Sequence, residues 1–143
     1  MRQIKIVFNC MVDKKICIEY ELSCKSANII WPLISTPSGL ARWVADTVKF
    51  ADGVFTFTWG ELHGHSDTRT ATLIEKKDFS HMRLRWDEDE YDDSTYLELK
   101  LEKGDITDDF ILVVTDFAPD GDVDDVREIW SACFNRLHHS TGL

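Results

Sequence analysis

LISTPSGLARWVAD, residues 33–46, begins as a helix and then breaks. Leu33 and Ile34 complete an apolar face that starts at Ile29 and Ile30. Thr36 and Pro37 stop it. Thr36 is a good N-cap and Pro37 suits the first position of a helix, so the same pair starts a second one. Leu40, Trp43 and Val44 then recur at helical spacing on one side. The stretch predicts two short helices joined at a corner. Upstream, Ser26 or Asn28 can cap a first helix beginning near Ile29. Pro32 lies inside that helix and removes a backbone donor, which predicts a late start or a kink.

On either side the period changes from helical to two. From Lys15 to Leu22, Ile16, Ile18, Tyr20 and Leu22 alternate with Lys15, Cys17, Glu19 and Glu21, the pattern of a half-buried strand. After Asp46 the alternation returns in five segments, around Phe55–Trp59, Ala71–Leu73, Met82–Trp86, Leu97–Leu101 and Phe110–Phe117. The last is apolar on both sides, as expected of a strand that is covered on both faces or central. Turn residues fill each gap, so the strands form an antiparallel meander. The chain closes with a long helix. Asp122 is placed to cap it, and Asp124 and Asp125 sit at its positive end. Val126, Trp130, Cys133 and Leu137, widened by Ile129 and Phe134, form one apolar stripe. At about 1.5 Å per residue, such a helix spans roughly 25 Å, enough to cross a sheet.

The sequence of 143 residues has the length of one domain with a real core. No apolar run reaches the roughly 18 residues of a membrane span. The start lacks the cleavage pattern of a secretory signal. A net charge of −10 opposes binding to nucleic acid or to anionic membranes. Cys10, Cys17, Cys24 and Cys133 show no CxxC and no zinc grouping, and read as reduced thiols in a cytoplasm.

This order of elements, with Trp31 followed by LISTPSGLARWVAD, resembles the helix-grip (START-like, SRPBCC) superfamily. Within it, the chain is similar to small bacterial proteins related to the activator of the heat-shock chaperone ATPase. CIEYEL at residues 17–22, FTFTW at 55–59, RLRW at 83–86 and VTDFA at 114–118 support the match. The resemblance implies an α+β fold, a curved antiparallel sheet in the order β-α-α-β-β-β-β-β-α wrapped around the C-terminal helix. It covers the chain from about Lys14 onward. Residues 1–13 read as an N-terminal extension, 14–24 as the first strand, 27–46 as the two short helices, 47–118 as the antiparallel strands and 122–139 as the long helix. Relatives begin as though at Met11. Residues 1–10 are therefore either an added strand, in which Ile4, Ile6 and Phe8 alternate, or the product of an early start codon. An added strand would also offer a sheet edge for dimerisation.

The resemblance further implies a cavity between the long helix and the sheet, without a fixed catalytic set. Trp31, Trp43, Phe57, Trp59, Leu73, Leu84, Trp86, Leu99, Trp130 and Phe134 are the candidate lining. They either pack as ordinary core or border an open groove. The run DEDEYDD, with Asp87, Glu88, Asp89, Glu90, Asp92 and Asp93, is either a solvated hairpin loop or a docking surface for a basic partner. His63, His65 and Asp67 could hold zinc, but Gly60 and Gly64 argue for a loop and no third strong ligand is near. Asp120 to Asp125 fails the calcium-loop spacing and reads as a turn before a helix. No nucleophile motif and no phosphate loop is present.

The expected function is a non-enzymatic module, without cofactor or metal, that binds a small apolar ligand. The alternatives are a protein-interaction or chaperone-accessory domain using its acidic surface, and a groove-based hydrolase or cyclase for which no residue argues specifically. The expected state is a cytoplasmic monomer or homodimer.

Overall fold

Alternation at the start becomes strand β1, Lys14–Glu21. The computed structural model describes residues 14–60, 66–89 and 94–143. The expected strand within residues 1–13 lies outside them. Two short helices follow β1, namely α1, Ala27–Ser35, and α2, Pro37–Leu40. Six strands come next: β2, Thr47–Ala51; β3, Val54–Gly60; β4, Ser66–Lys77; β5, His81–Trp86; β6, Leu97–Lys103; and β7, Phe110–Ala118. Helix α3, Val123–Thr141, ends the chain. The seven strands form one antiparallel sheet in the order β1-β7-β6-β5-β4-β3-β2. Among the described residues, no helix is long and apolar enough to cross a membrane.

The architecture is α+β, with a helix packed over one face of a curved sheet, as expected. The sheet carries one strand more than the five segments read after Asp46. That strand, β2, is a short edge strand, and Lys49, Phe50 and Ala51 in it are exposed. Only Val48 of this strand is buried, and the exposed remainder has no reason to alternate. Asp52 (φ 53°) and Gly53 (φ 79°) join it to β3. Two successive left-handed residues make the tight turn whose twist matches a hairpin. Between Leu73 and Glu75 the pairing of β4 with β5 shifts register. Such a bulge bends the strand and increases its twist, which helps the sheet curve toward the helix.

The corner in LISTPSGLARWVAD forms at Thr36. Its backbone N–H donates to the Pro32 carbonyl at 3.2 Å, ending α1. Its hydroxyl donates to the same carbonyl at 2.6 Å and accepts from the Gly39 N–H at 3.0 Å, which caps α2. One residue closes one helix and opens the next. Helix α1 begins at Ala27 and does not wait for Pro32, which sits inside it. Beyond α2, turn bonds from Ala41 to Pro37 and from Val44 to Leu40 keep the chain coiled as far as Val44.

Trp43 bolts this corner to the rest. Its side chain is 0% exposed and stacks on Phe134, with ring centroids 6.1 Å apart, and lies tilted 6.0 Å from Trp130. Its indole N–H donates to the Leu33 carbonyl at 2.9 Å. In an uninterrupted helix that carbonyl would accept from residue 37, but Pro37 has no N–H. Trp43 supplies the missing donor from ten residues away. Helix α3 then clamps the segment, with Arg136 donating to the Ala45 carbonyl and to Asp46 at 3.2 and 3.3 Å.

Candidate functional site

Helix α3 lies closest to β1 and β7. Farther across the sheet a gap remains between the helix and β3 to β5. This gap is a cleft of about 340 Å³, the size of a small-molecule site. Val44 closes one end. Trp59 of β3, Asp67 and Arg69 of β4, Trp86 of β5 and Asp116 of β7 form the sheet wall. Val126, Ile129, Trp130 and Cys133 of α3 form the other.

Each indole at the cleft is held by a polar contact. Trp59 donates to the Val44 carbonyl at 2.9 Å. Trp130 donates to Asp116 Oδ2 at 3.0 Å, while the other oxygen of that carboxylate accepts from the Phe117 N–H at 2.8 Å. Trp86 carries the Arg69 guanidinium over its ring, 3.9 Å from the centroid. Arg69 also pairs with Glu88 just beyond β5. These bonds fix ring orientations, so the lining is largely preformed.

On α3 the apolar stripe is wider than the core needs. Trp130, Cys133, Phe134 and Leu137 are buried, whereas Ile129 is 59% exposed and faces the cleft. Burial pushes the Cys133 thiol up to about 11, against a smaller opposing pull from Arg136. At pH 8 its thiolate fraction is then roughly one part in a thousand. Brief alkylation at that pH followed by peptide mapping should label the exposed Cys17 in the native protein, and Cys133 only after denaturation. Rapid labelling of native Cys133 would contradict this placement.

Of the ten candidate lining residues, the structure brings Trp59, Trp86 and Trp130 to the cleft. Trp31, Trp43, Phe57, Leu84, Leu99 and Phe134 lie buried in the core cluster, and Leu73 packs against it. Of the acidic run, Asp87, Glu88 and Asp89 form a short turn after β5. Asp87 accepts from the Thr70 and Thr72 hydroxyls of β4, and Glu88 holds Arg69. Glu90, Asp92 and Asp93 lie outside the described residues, as do His63 and His65. Among the described residues, no group of three or more His, Cys, Asp or Glu is placed to hold a metal.

Sequence reasoning missed Arg69 and Asp116, and weighed Asp67 only as a possible zinc ligand and not as part of the cleft. The signal was present in the strand pattern. In β4, Ala71 and Leu73 point to the core face, so Arg69 and Asp67 share that face by parity. In β7, Asp116 follows the buried Leu112 and Val114 at the same parity. A charged residue continuing the inward face of a core strand marks the point where the core gives way to something wet or bound.

Residues 11–143 match a START-like superfamily domain. A protein from Bacteroides fragilis, solved by NMR in solution, is 35% identical, with 90% of this chain and 91% of that chain covered and a TM-score of 0.58. The Aha1 dimer from Colwellia psychrerythraea shares the fold at 14% identity, covering 90% and 98%, with a TM-score of 0.66. So does the AHSA1-like protein from Aeromonas hydrophila, at 13% identity, 90% and 92% coverage and a TM-score of 0.67. No curated protein matches the chain.

Proposed function

The chain belongs to the START-like superfamily, and from that premise we propose that it is a binding module whose cleft between α3 and strands β3 to β5 takes a small, largely apolar ligand. One observation carries the reading. The wall of α3 presents Ile129, largely exposed, toward a cleft bordered by Trp130 of the same helix and by two indoles of the sheet, Trp59 and Trp86. An isoleucine left open to solvent beside preset aromatic rings is surface available for burial by a guest. The core does not need it, because Trp43, Phe57 and Phe134 already fill the space behind.

Ile129 offers a clean test, since its exposure frees it from the fold. The neutral fluorophore N-phenyl-1-naphthylamine should bind the wild type one to one. Ile129→Gln should weaken that binding about tenfold, the equivalent of losing about 1.4 kcal/mol of apolar burial, with the melting temperature unchanged. No binding to the wild type, or equal binding to both proteins, would count against the cleft as the site.

A further inference from the structure

We infer that the ligand of this cleft is an organic cation with a flat apolar body. The inference rests on the reading of the cleft as a ligand site and adds the sign of the ligand's charge.

The inward face of the sheet is apolar through the core, and at the cleft it turns charged. Three charged side chains occupy that face there: Asp67, Arg69 and Asp116. Arg69 is already engaged twice, by Glu88 and by the face of Trp86. An incoming anion would have to displace Glu88 and would also meet two further carboxylates. A cation meets the reverse. Asp116 is hydrogen-bonded to the indole of Trp130, and Asp67 is the register partner of Trp59 across β3 and β4. Each carboxylate thus stands beside an indole. A ring face attracts a cation through its quadrupole, and a neighbouring carboxylate adds direct charge attraction. The guanidinium already lying over Trp86 shows one ring of the cleft receiving a cation in this way. The net charge of −10 raises the local concentration of cations around the whole molecule. The apolar wall of Val126 and Ile129 then sets the rest of the ligand, a flat hydrophobic body.

Three naphthalene probes of one shape separate charge from apolar fit: 2-naphthylmethylamine, protonated at neutral pH, 2-naphthylmethanol and 2-naphthoate. Calorimetric titration should find the amine about tenfold tighter than the alcohol, and the naphthoate weakest. Asp67→Asn, at an exposed strand position that does not threaten folding, should reduce the amine's advantage, and adding Asp116→Asn should remove most of it. The advantage should also shrink with salt, as the screening length falls from about 30 Å at 0.01 M to about 3 Å at 1 M. Equal affinities for amine and alcohol, or tightest binding of the naphthoate, would overturn the charge assignment and leave the apolar cleft standing. Binding of none of the three would overturn both.

Discussion

Trp43→Ala is expected to cost about 3–5 kcal/mol of stability, the range for deleting a large buried aromatic. For a domain with a total stability of about 5–15 kcal/mol, that removes much of the margin against unfolding. Two losses combine. The cavity would open between Trp130 and Phe134, where the ring is completely buried. The Leu33 carbonyl would also lose the indole donor that stands in for the absent N–H of Pro37. Urea unfolding followed by far-ultraviolet circular dichroism gives the total. Trp43→Phe separates the parts, because it keeps a ring but no donor, and should cost about 1–3 kcal/mol. A midpoint unchanged in Trp43→Ala would mean that the corner does not depend on this side chain.

Gly39→Ala is the second large effect, expected at about 3 kcal/mol or more, the upper end of overpacking penalties. The cause is steric and not conformational. A Cβ at residue 39 would lie 1.9 Å from the Pro32 carbonyl oxygen and 2.6 Å from the Leu33 Cα. Both are backbone atoms of α1 and cannot swing aside as a side chain would. The two helices can meet only because nothing projects from residue 39. Gly121→Ala provides the control, since its added Cβ would meet nothing within 4 Å. Equal thermal stability of the two variants would contradict the close approach of α1 and α2.

These effects explain how much of the molecule was legible in the sequence. Thr36-Pro37 signalled the corner because capping and proline chemistry are local. Gly39 looked like part of a helix break, and its actual role depends on how α2 lies against α1, which no local pattern encodes. The cleft was harder still. Phe57 and Trp59 are two residues apart on one face of β3, and a strand pattern treats them alike. Phe57 is 1% exposed in the core, while Trp59 lines the cleft. The difference is set by where α3 stops covering a curved sheet, a property of three elements at once. Charge parity was the readable clue. Asp67 and Arg69 continue the inward face of a strand whose neighbouring residues are core.

The pairing of β1 with β7 has a consequence for synthesis. Lys14 is the register partner of Ala118, and Glu21 of Ile111. During translation at about 5–20 residues per second, β1 is made roughly 5–20 s before its partner exists. For that time it is a strand with a free edge and with Ile16, Ile18 and Tyr20 on one face. Lys15, Glu19 and Glu21, on the opposite face and still exposed in the finished sheet, give the waiting strand a charged face that discourages pairing between nascent chains. The meander of β2 to β6 needs no such wait, because each strand follows its partner in the chain. Pairing in step with synthesis can thus run from the β2 edge forward to β7, and β1, the earliest of the described strands, is the last to find its partner.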